Sequence, residues 1–179
     1  MYYQTKLPSP VGEITLASDG DNLVGLWLAG QKHYGGSVTG APEQRDDLPV
    51  FAAATQWLSR YFAGQRPSPS ELPLAPVGSA FRQEVWQILL RIPYGQVTTY
   101  GAIARELAEK RGKSSMSSQA VGGAVAHNPI SIIIPCHRVV GTNGSLTGYA
   151  GGIAAKIKLL EGEGANLDGL FVPAKGTAL

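Results

Sequence analysis

Short apolar runs broken by turn chemistry open the chain: Tyr2 to Leu7, then Ser9-Pro10-Val11-Gly12, Glu13 to Ala17, Asp19-Gly20-Asp21-Asn22, and Leu23 to Leu28. Runs of that length bounded by Gly, Pro, Asn and Asp predict an antiparallel meander. A Gly-rich polar stretch from Gly30 to Asp47 interrupts the pattern. Beyond it Phe51, Ala54, Leu58, Tyr61 and Phe62 recur at helical spacing, and Gly64 supplies a stop. Pro67, Pro69, Pro73 and Pro76 then crowd the segment from Gln65 to Pro76. Proline lacks the donor that a helix or inner strand needs, so this segment reads as a linker. The chain is therefore divided into a sheet-plus-helix lobe (1–64), a linker (65–78) and a second lobe (79–179), and its class is α+β.

The second lobe follows a helical period. Ser79 is an N-cap for a helix that puts Phe81, Val85, Ile88 and Leu89 on one face, and Ile92-Pro93-Tyr94-Gly95 ends it. Another helix begins after Thr98 or Thr99, with Ile103, Ala104 and Leu107 inward. The polar loop Lys110 to Ser115 separates it from a third segment, Ser117 to His127, made of Ala, Gly, Ser and Val. Two short helices joined by a polar turn fit a helix-turn-helix, and an ordinary helix pair is the commoner arrangement. Gly122-Gly123 inside a helix costs ~1 kcal/mol per glycine relative to alanine. Close approach of another helix or of a bulky ligand offsets such a cost, and helix packing is the more common cause. The apolar run Ile130 to Ile134 reads as a buried extended segment. A loop holding Gly141, Gly144, Gly148, Gly151 and Gly152 follows, and a last helix runs from about Ile153 to Leu160.

Composition narrows the function classes. With 179 residues, 44% hydrophobic and 16% charged, the chain has the makeup of a globular protein with a real core. Its longest aliphatic stretch, Ile130 to Pro135, is far too short to cross a bilayer. The first residues lack the basic stretch and apolar run of a secretory signal, so a cytoplasmic location without membrane attachment is expected. The formal charge of +2 conceals an asymmetry: residues 1–78 hold five Lys/Arg against seven Asp/Glu, and residues 79–179 hold ten against six. The second lobe, at +4, is the better candidate for a polyanionic partner.

Cys136 is the single cysteine, which excludes an internal disulfide, a dithiol pair and a cysteine zinc cluster. No metal site is evident, and His33 reads as a surface residue. A rigid apolar run ending in Pro135 delivers Cys136-His137-Arg138, the way a nucleophile is held in one orientation. An unperturbed thiol is only a few per cent thiolate at pH 7, so a base or cation must raise that fraction. Adjacent residues of an extended chain point to opposite sides, so His137 reaches the thiol only through a turn or a bridging water. A buried, inert cysteine beside an unrelated histidine remains the alternative.

The stretch from Asn128-Pro129 through Pro135-Cys136-His137-Arg138-Val139-Val140, continuing to Gly148-Tyr149-Ala150-Gly151-Gly152 and Lys156 to Leu160, resembles the O6-alkylguanine-DNA alkyltransferases, also called methylated-DNA–protein-cysteine methyltransferases. Ala120-Val121-Gly122-Gly123-Ala124, Gly95-Gln96-Val97-Thr98-Thr99-Tyr100, Val85-Trp86 and Phe81 extend it across most of the second lobe. The first lobe matches loosely, and the resemblance implies a ribonuclease-H-like form for it and a winged-helix-like form for the second.

That resemblance implies a DNA repair protein. Cys136 attacks the alkyl carbon of an O6-alkylguanine flipped from double-stranded DNA, with O4-alkylthymine a further candidate lesion. A thioether is not hydrolysed, so each molecule acts once, as a monomer and without cofactor. His137 takes the thiol proton through a water and Glu163 orients the imidazole. Tyr100 compensates charge at N3 of the leaving guanine, and Asn128 braces the loop beneath the site. Backbone carbonyls of Cys136 and Val139 read the exocyclic amine, and Tyr149 and Ala150 border the pocket. Ser115 to Ala126 forms the recognition helix, laid in the minor groove, with Ser115, Ser118, Gln119, Ala120, Gly122, Gly123 and also Arg138 as DNA-binding residues.

Four departures from the family pattern stand out. Gln119 replaces the arginine that fills the gap left by the flipped base, and Arg111 and Lys113 in the preceding loop are candidates to assist it. The spacing from Tyr100 to Gln119 is a few residues longer. Gly162 replaces a histidine, which would leave Glu163 less firmly held, and Ala150 replaces a serine that could contact O6. Three other readings stay open at this point: a thiol hydrolase, a sensor that flips alkylguanine without repairing it, and a plain DNA-binding regulator.

Overall fold

The computed structural model describes residues 1–174. Strands β1 (Tyr3–Leu7), β2 (Ile14–Ser18) and β3 (Leu23–Leu28) form the expected antiparallel meander. The polar stretch after them hides a fourth strand, β4 (Glu43–Gln44), which pairs in parallel with β1 and completes the order β3-β2-β1-β4. Two exposed polar residues carry no periodic signal, so pattern reading passes over such a strand. Helix α1 (Pro49–Phe62) buries Phe51, Ala54, Trp57, Leu58 and Tyr61 against the sheet.

The proline-rich segment is packed. It holds a 3-10 turn at Pro69–Glu71 with a capping box from Ser68, and its end lies along β3, where Leu23 N donates to Pro73 O (2.7 Å) and Ala75 N donates to Leu23 O (2.9 Å). Farther along the same free edge, Leu26 N donates to Pro129 O (2.8 Å) and Ser131 N to Leu26 O (3.0 Å). An edge strand's unpaired amides and carbonyls are thereby satisfied by the segment that leads to Cys136.

Helix α2 (Ala80–Leu89) is capped by Ser79 and packs on α4 (Ser118–Ala126), which α3 (Tyr100–Lys110) also flanks. Thr99 and Ser117 cap α3 and α4 through their side chains. Ser115, expected inside the recognition helix, lies before it in the enlarged loop, because Ser117 takes the cap. Strand β5 (Thr98–Thr99) runs directly into α3 and pairs in parallel with β6 (Val139–Val140). Helix α5 (Ile153–Gly162) closes the fold. One apolar cluster runs from Ile14 and Phe51 through Trp86 and Val121 to Ile134, Cys136 and Leu159, so the two lobes share a core. No helix among the described residues is long and apolar enough to cross a membrane.

Candidate active site

The run Ile130 to Ile134 is buried as expected, but it is coiled. Ile132 has φ 71°, a left-handed conformation unfavourable for a β-branched residue, and Ile134 N turns back to Ile130 O (3.0 Å). Asn128 grips both ends of this coil: Ile130 N donates to its Oδ1 (3.0 Å) and its Nδ2 donates to Ile134 O (2.8 Å). Pro135 then starts a 3-10 turn, Cys136–Arg138. A turn sets neighbouring side chains in different directions from an extended chain, so Cys136 and His137 end on one small buried unit. The following β6 pairs with β5, which brings Tyr100, the first residue of α3, to the same place.

Glu163, just past α5, is the hub of this unit. Its Oε2 accepts from His137 Nε2 (2.5 Å), Tyr61 Oη (2.5 Å) and Arg138 Nη2 (3.1 Å), and its Oε1 accepts from Arg138 Nε (2.8 Å) and Gly95 N (3.1 Å). Burial alone would raise its pKa, yet the hydrogen bonds and charges of His137 and Arg138 hold it far below the usual carboxylate range. Glycine at position 162 therefore does not leave Glu163 loosely held, since donors from α1, the Gly95 turn and the Cys136 turn converge on it. Arg138 is buried, with Nη1 donating to Ile92 O (2.7 Å), so the expected DNA contact is replaced by this internal ion pair.

Because Glu163 is ionised, Nε2 of His137 carries the proton in their hydrogen bond, and Nδ1 is the basic nitrogen. Nδ1 is buried with no hydrogen-bond partner among the described residues. Burial lowers the imidazole pKa against the pull of Glu163, and Arg138 lowers it further, so His137 rests neutral. Burial likewise pushes the Cys136 thiol up, opposed by Asn128, Lys156 and Ser131. Lys156 is wholly buried, its ammonium donating to Val139 O (2.5 Å) and Thr147 O (2.8 Å), and burial pulls its pKa down to about 8. Sequence reading missed Lys156 and Tyr61 as site residues. Lys156 had a signal, a cation on the inward face of an otherwise apolar helix turn; Tyr61 had none beyond its place in a core stripe.

Tyr100 donates to Thr147 O (3.2 Å), and burial followed by the charge of Cys136 raises its pKa, so its phenol stays protonated. A cavity of about 690 Å³ opens in front of Tyr100, walled by Ser118, Gln119, Gly122 and Gly123 of α4 and by Gly148, Tyr149 and Ala150. Tyr149, its ring edge-on to His137 at 6.4 Å, and Tyr100 both feel the charge of Cys136; Cys136 and its near neighbour Val139 are buried. A Cβ on Gly148 (φ 80°) would stand 2.3 Å from Tyr100 Oη. On α4 the outcome is the reverse: a Cβ on Gly123 would meet nothing within 4 Å, and one on Gly122 only Tyr100 Cδ1 at 4.0 Å. Helix packing does not explain the paired glycines; they leave a bare face toward the cavity. Arg111 is tied to Glu84 (3.0 Å) and lies over Phe81, so it is committed to α2. His33 is exposed but stacks on His127 at 3.7 Å. Among the described residues no cluster of His, Cys, Asp and Glu could hold a metal.

Two family models match: residues 1–76 to the ribonuclease-like domain and residues 80–165 to the DNA-binding domain of 6-O-methylguanine DNA methyltransferase. The chain is 41% identical over 163 residues to a methylated-DNA–protein-cysteine methyltransferase of Haemophilus influenzae, covering 89% of this chain and 84% of that one. It is 40% identical over 161 residues to the Mycobacterium tuberculosis protein of that name, covering 90% and 91%. The crystal structure of Mycobacterium tuberculosis OGT in complex with DNA superposes with a TM-score of 0.73 at 39% identity, over 90% of this chain and 91% of that one. With both lobes matched in order, and His137 and Arg138 of the Cys136 turn bound to Glu163, the chain belongs to the 6-O-methylguanine DNA methyltransferase family.

Proposed function

We propose that this protein repairs double-stranded DNA by transferring the alkyl group of a flipped O6-alkylguanine to its own Cys136, once per molecule, as a cytoplasmic monomer without cofactor. The observation that carries the reading is a buried neutral thiol and neutral His137 close to Tyr100 and Tyr149, two residues that line a cavity shared with the bare glycine face of α4. A flipped base needs such a pocket, and a duplex needs a helix with no side chains to hold it off. Ser118, Gln119, Ala120, Gly122 and Gly123 form that DNA face, and Gln119 fills the gap in the stack.

Chemistry then follows from the resting protonation states. A thiol whose pKa is raised needs a base at the moment of attack. His137 Nδ1 takes the thiol proton through one water, and Glu163 balances the imidazolium. Sγ bonds to the alkyl carbon as the carbon–O6 bond breaks, and the bond pair leaves on the guanine. Tyr100, too weak an acid to ionise, serves as a hydrogen-bond donor to N3 as that charge develops. The carbonyls of Cys136 and Val139 read the exocyclic amine, while Tyr149 and Ala150 bound the alkyl side. Asn128 holds the coil that aims Sγ.

Intact mass after incubation with duplex DNA containing O6-methylguanine tests this. A gain of one methylene per chain, confined to the peptide holding Cys136 and absent in Cys136→Ala, is expected. Lesion-selective binding with no gain would make the protein a sensor, and repeated turnover of a thioester or amide would make it a hydrolase.

A further inference from the structure

We propose that the cleft where the two lobes meet beside His33 and His127 is a phosphate-binding site. The cleft, about 410 Å³, is separate from the alkyl pocket and lies between Trp27 of β3, the Gly36-Ser37 loop, Gly78 and Arg82 ahead of and within α2, and Pro129. Three cationic or ionisable side chains converge there: Arg82, His33 and His127. No carboxylate pairs with Arg82 among the described residues, whereas Arg91 and Arg111, just past the ends of α2 and α3, are matched to Glu106 and Glu84. A half-buried guanidinium without a counter-ion beside two imidazoles is an unbalanced positive centre, and its complement is an anion.

Two further observations bear on the same cleft. His33 is held at φ 60°, a strained conformation for a non-glycine residue, and that conformation stacks its ring on His127 at 3.7 Å. His127 Nδ1 is bonded to Gly123 O (2.8 Å), which fixes the ring at the end of α4. Ser37, on the cleft wall, has a buried hydroxyl without a partner among the described residues, a donor available to a bound oxyanion. Desolvation, and then the charges of His127, Arg82 and Lys32, lower the affinity of His33 for a proton, so Arg82 is the standing charge of the cleft.

His33 and His127 belong to the walls of both the cleft and the larger cavity, so the cleft continues the glycine face of α4. A DNA strand lying along α4 would carry a backbone phosphate to it. This extends the DNA reading of the preceding section and rests on it for the source of the phosphate. A free phosphate is the other source of the same chemistry.

Two probes separate these cases. Inorganic phosphate titrated into ¹⁵N-labelled protein should produce saturable shifts at the amides of Gly36, Ser37, Gly78 and His127; these should vanish in Arg82→Gln and persist in Arg82→Lys. Binding of undamaged duplex DNA, measured against salt, should lose about one unit of log–log slope in Arg82→Gln. The ratio of the transfer rate from duplex to that from free O6-methylguanine base should fall several-fold in the same variant. Saturable shifts with an unchanged slope assign the cleft to free phosphate. No saturable shift and an unchanged slope overturn the proposal. A wild-type protein that takes no alkyl group from DNA refutes the repair reading instead, and the phosphate titration still decides the cleft.

Discussion

Glu163 collects five hydrogen bonds on one buried carboxylate, more than holding a histidine requires. Arg138 accounts for the excess. Burial is the main force that keeps His137 a free base against the pull of the carboxylate, and Arg138, paired to the same carboxylate, adds to it. In Glu163→Gln, Arg138 becomes a buried charge without its partner, and stability should fall by about 3–5 kcal/mol, read from the urea midpoint. Alkyl transfer should fall by at least about 10²-fold, the usual share of a general base. The folded pKa of Glu163 is depressed, so its stabilisation is complete above the unfolded value near 4.5 and disappears as pH falls through the folded value. The urea midpoint of the wild type should therefore drop below pH 4.5 more steeply than that of Glu163→Gln; parallel curves would dissociate the carboxylate from acid stability. Gly148 makes a second case at this scale. Alanine there meets both a φ of 80° and Tyr100 Oη at 2.3 Å, so Gly148→Ala should lose more than about 1 kcal/mol. Its transfer rate should fall while affinity for undamaged duplex is kept, because Tyr100 moves and α4 does not.

Among the elements, α4 is the one whose sequence argues against its own structure. Its two central glycines weaken it, and no neighbouring helix uses the space they leave. Gly123→Ala should therefore stabilise the free protein by ~1 kcal/mol in thermal unfolding and weaken duplex binding. Stabilisation without any loss of DNA affinity would remove the glycine face from the interface. The helices were legible because their inward stripes and the caps Ser79, Thr99 and Ser117 are local signals, and the three-strand meander was legible from its turns. Cys136, His137 and Glu163 were legible through the family motif, and the structure joins His137 to Glu163. What stayed hidden depends on contacts distant in sequence. β4 exists only because β1 offers an edge, the coil at Ile132 only because Asn128 holds it, and the inward turn of Arg138 only because Glu163 sits 25 residues away. A basic residue beside a catalytic cysteine in a DNA-binding lobe reads as a phosphate contact until its partner is known.

At the scale of the whole molecule, the first lobe is a working part of the site. Tyr61 of α1 reaches Glu163 across 102 residues of sequence, β3 is bridged to the segment that precedes the nucleophile, and Lys32 N donates to Ala150 O (3.0 Å) on the pocket rim. These three ties fix the carboxylate, the Cys136 coil and the loop facing the cavity, and one buried apolar cluster is shared by both lobes. Such an arrangement should unfold as one unit. Trp27 and Trp57 report on the first lobe and Trp86, bonded through Nε1 to Ala124 O (2.9 Å), on the second. In a variant retaining only Trp57 and in one retaining only Trp86, the urea midpoint by fluorescence should therefore coincide with that variant's own midpoint by far-ultraviolet circular dichroism. Tyr61→Phe should lower that common midpoint by about 1–3 kcal/mol in stability, the cost of breaking a buried hydrogen bond to a charged group. It should also slow alkyl transfer, although Tyr61 lies in the other lobe from Cys136. A fluorescence midpoint that parts from the circular dichroism midpoint within either variant would show that the lobes unfold separately, and a normal transfer rate in Tyr61→Phe would show that Tyr61 contributes nothing to holding Glu163.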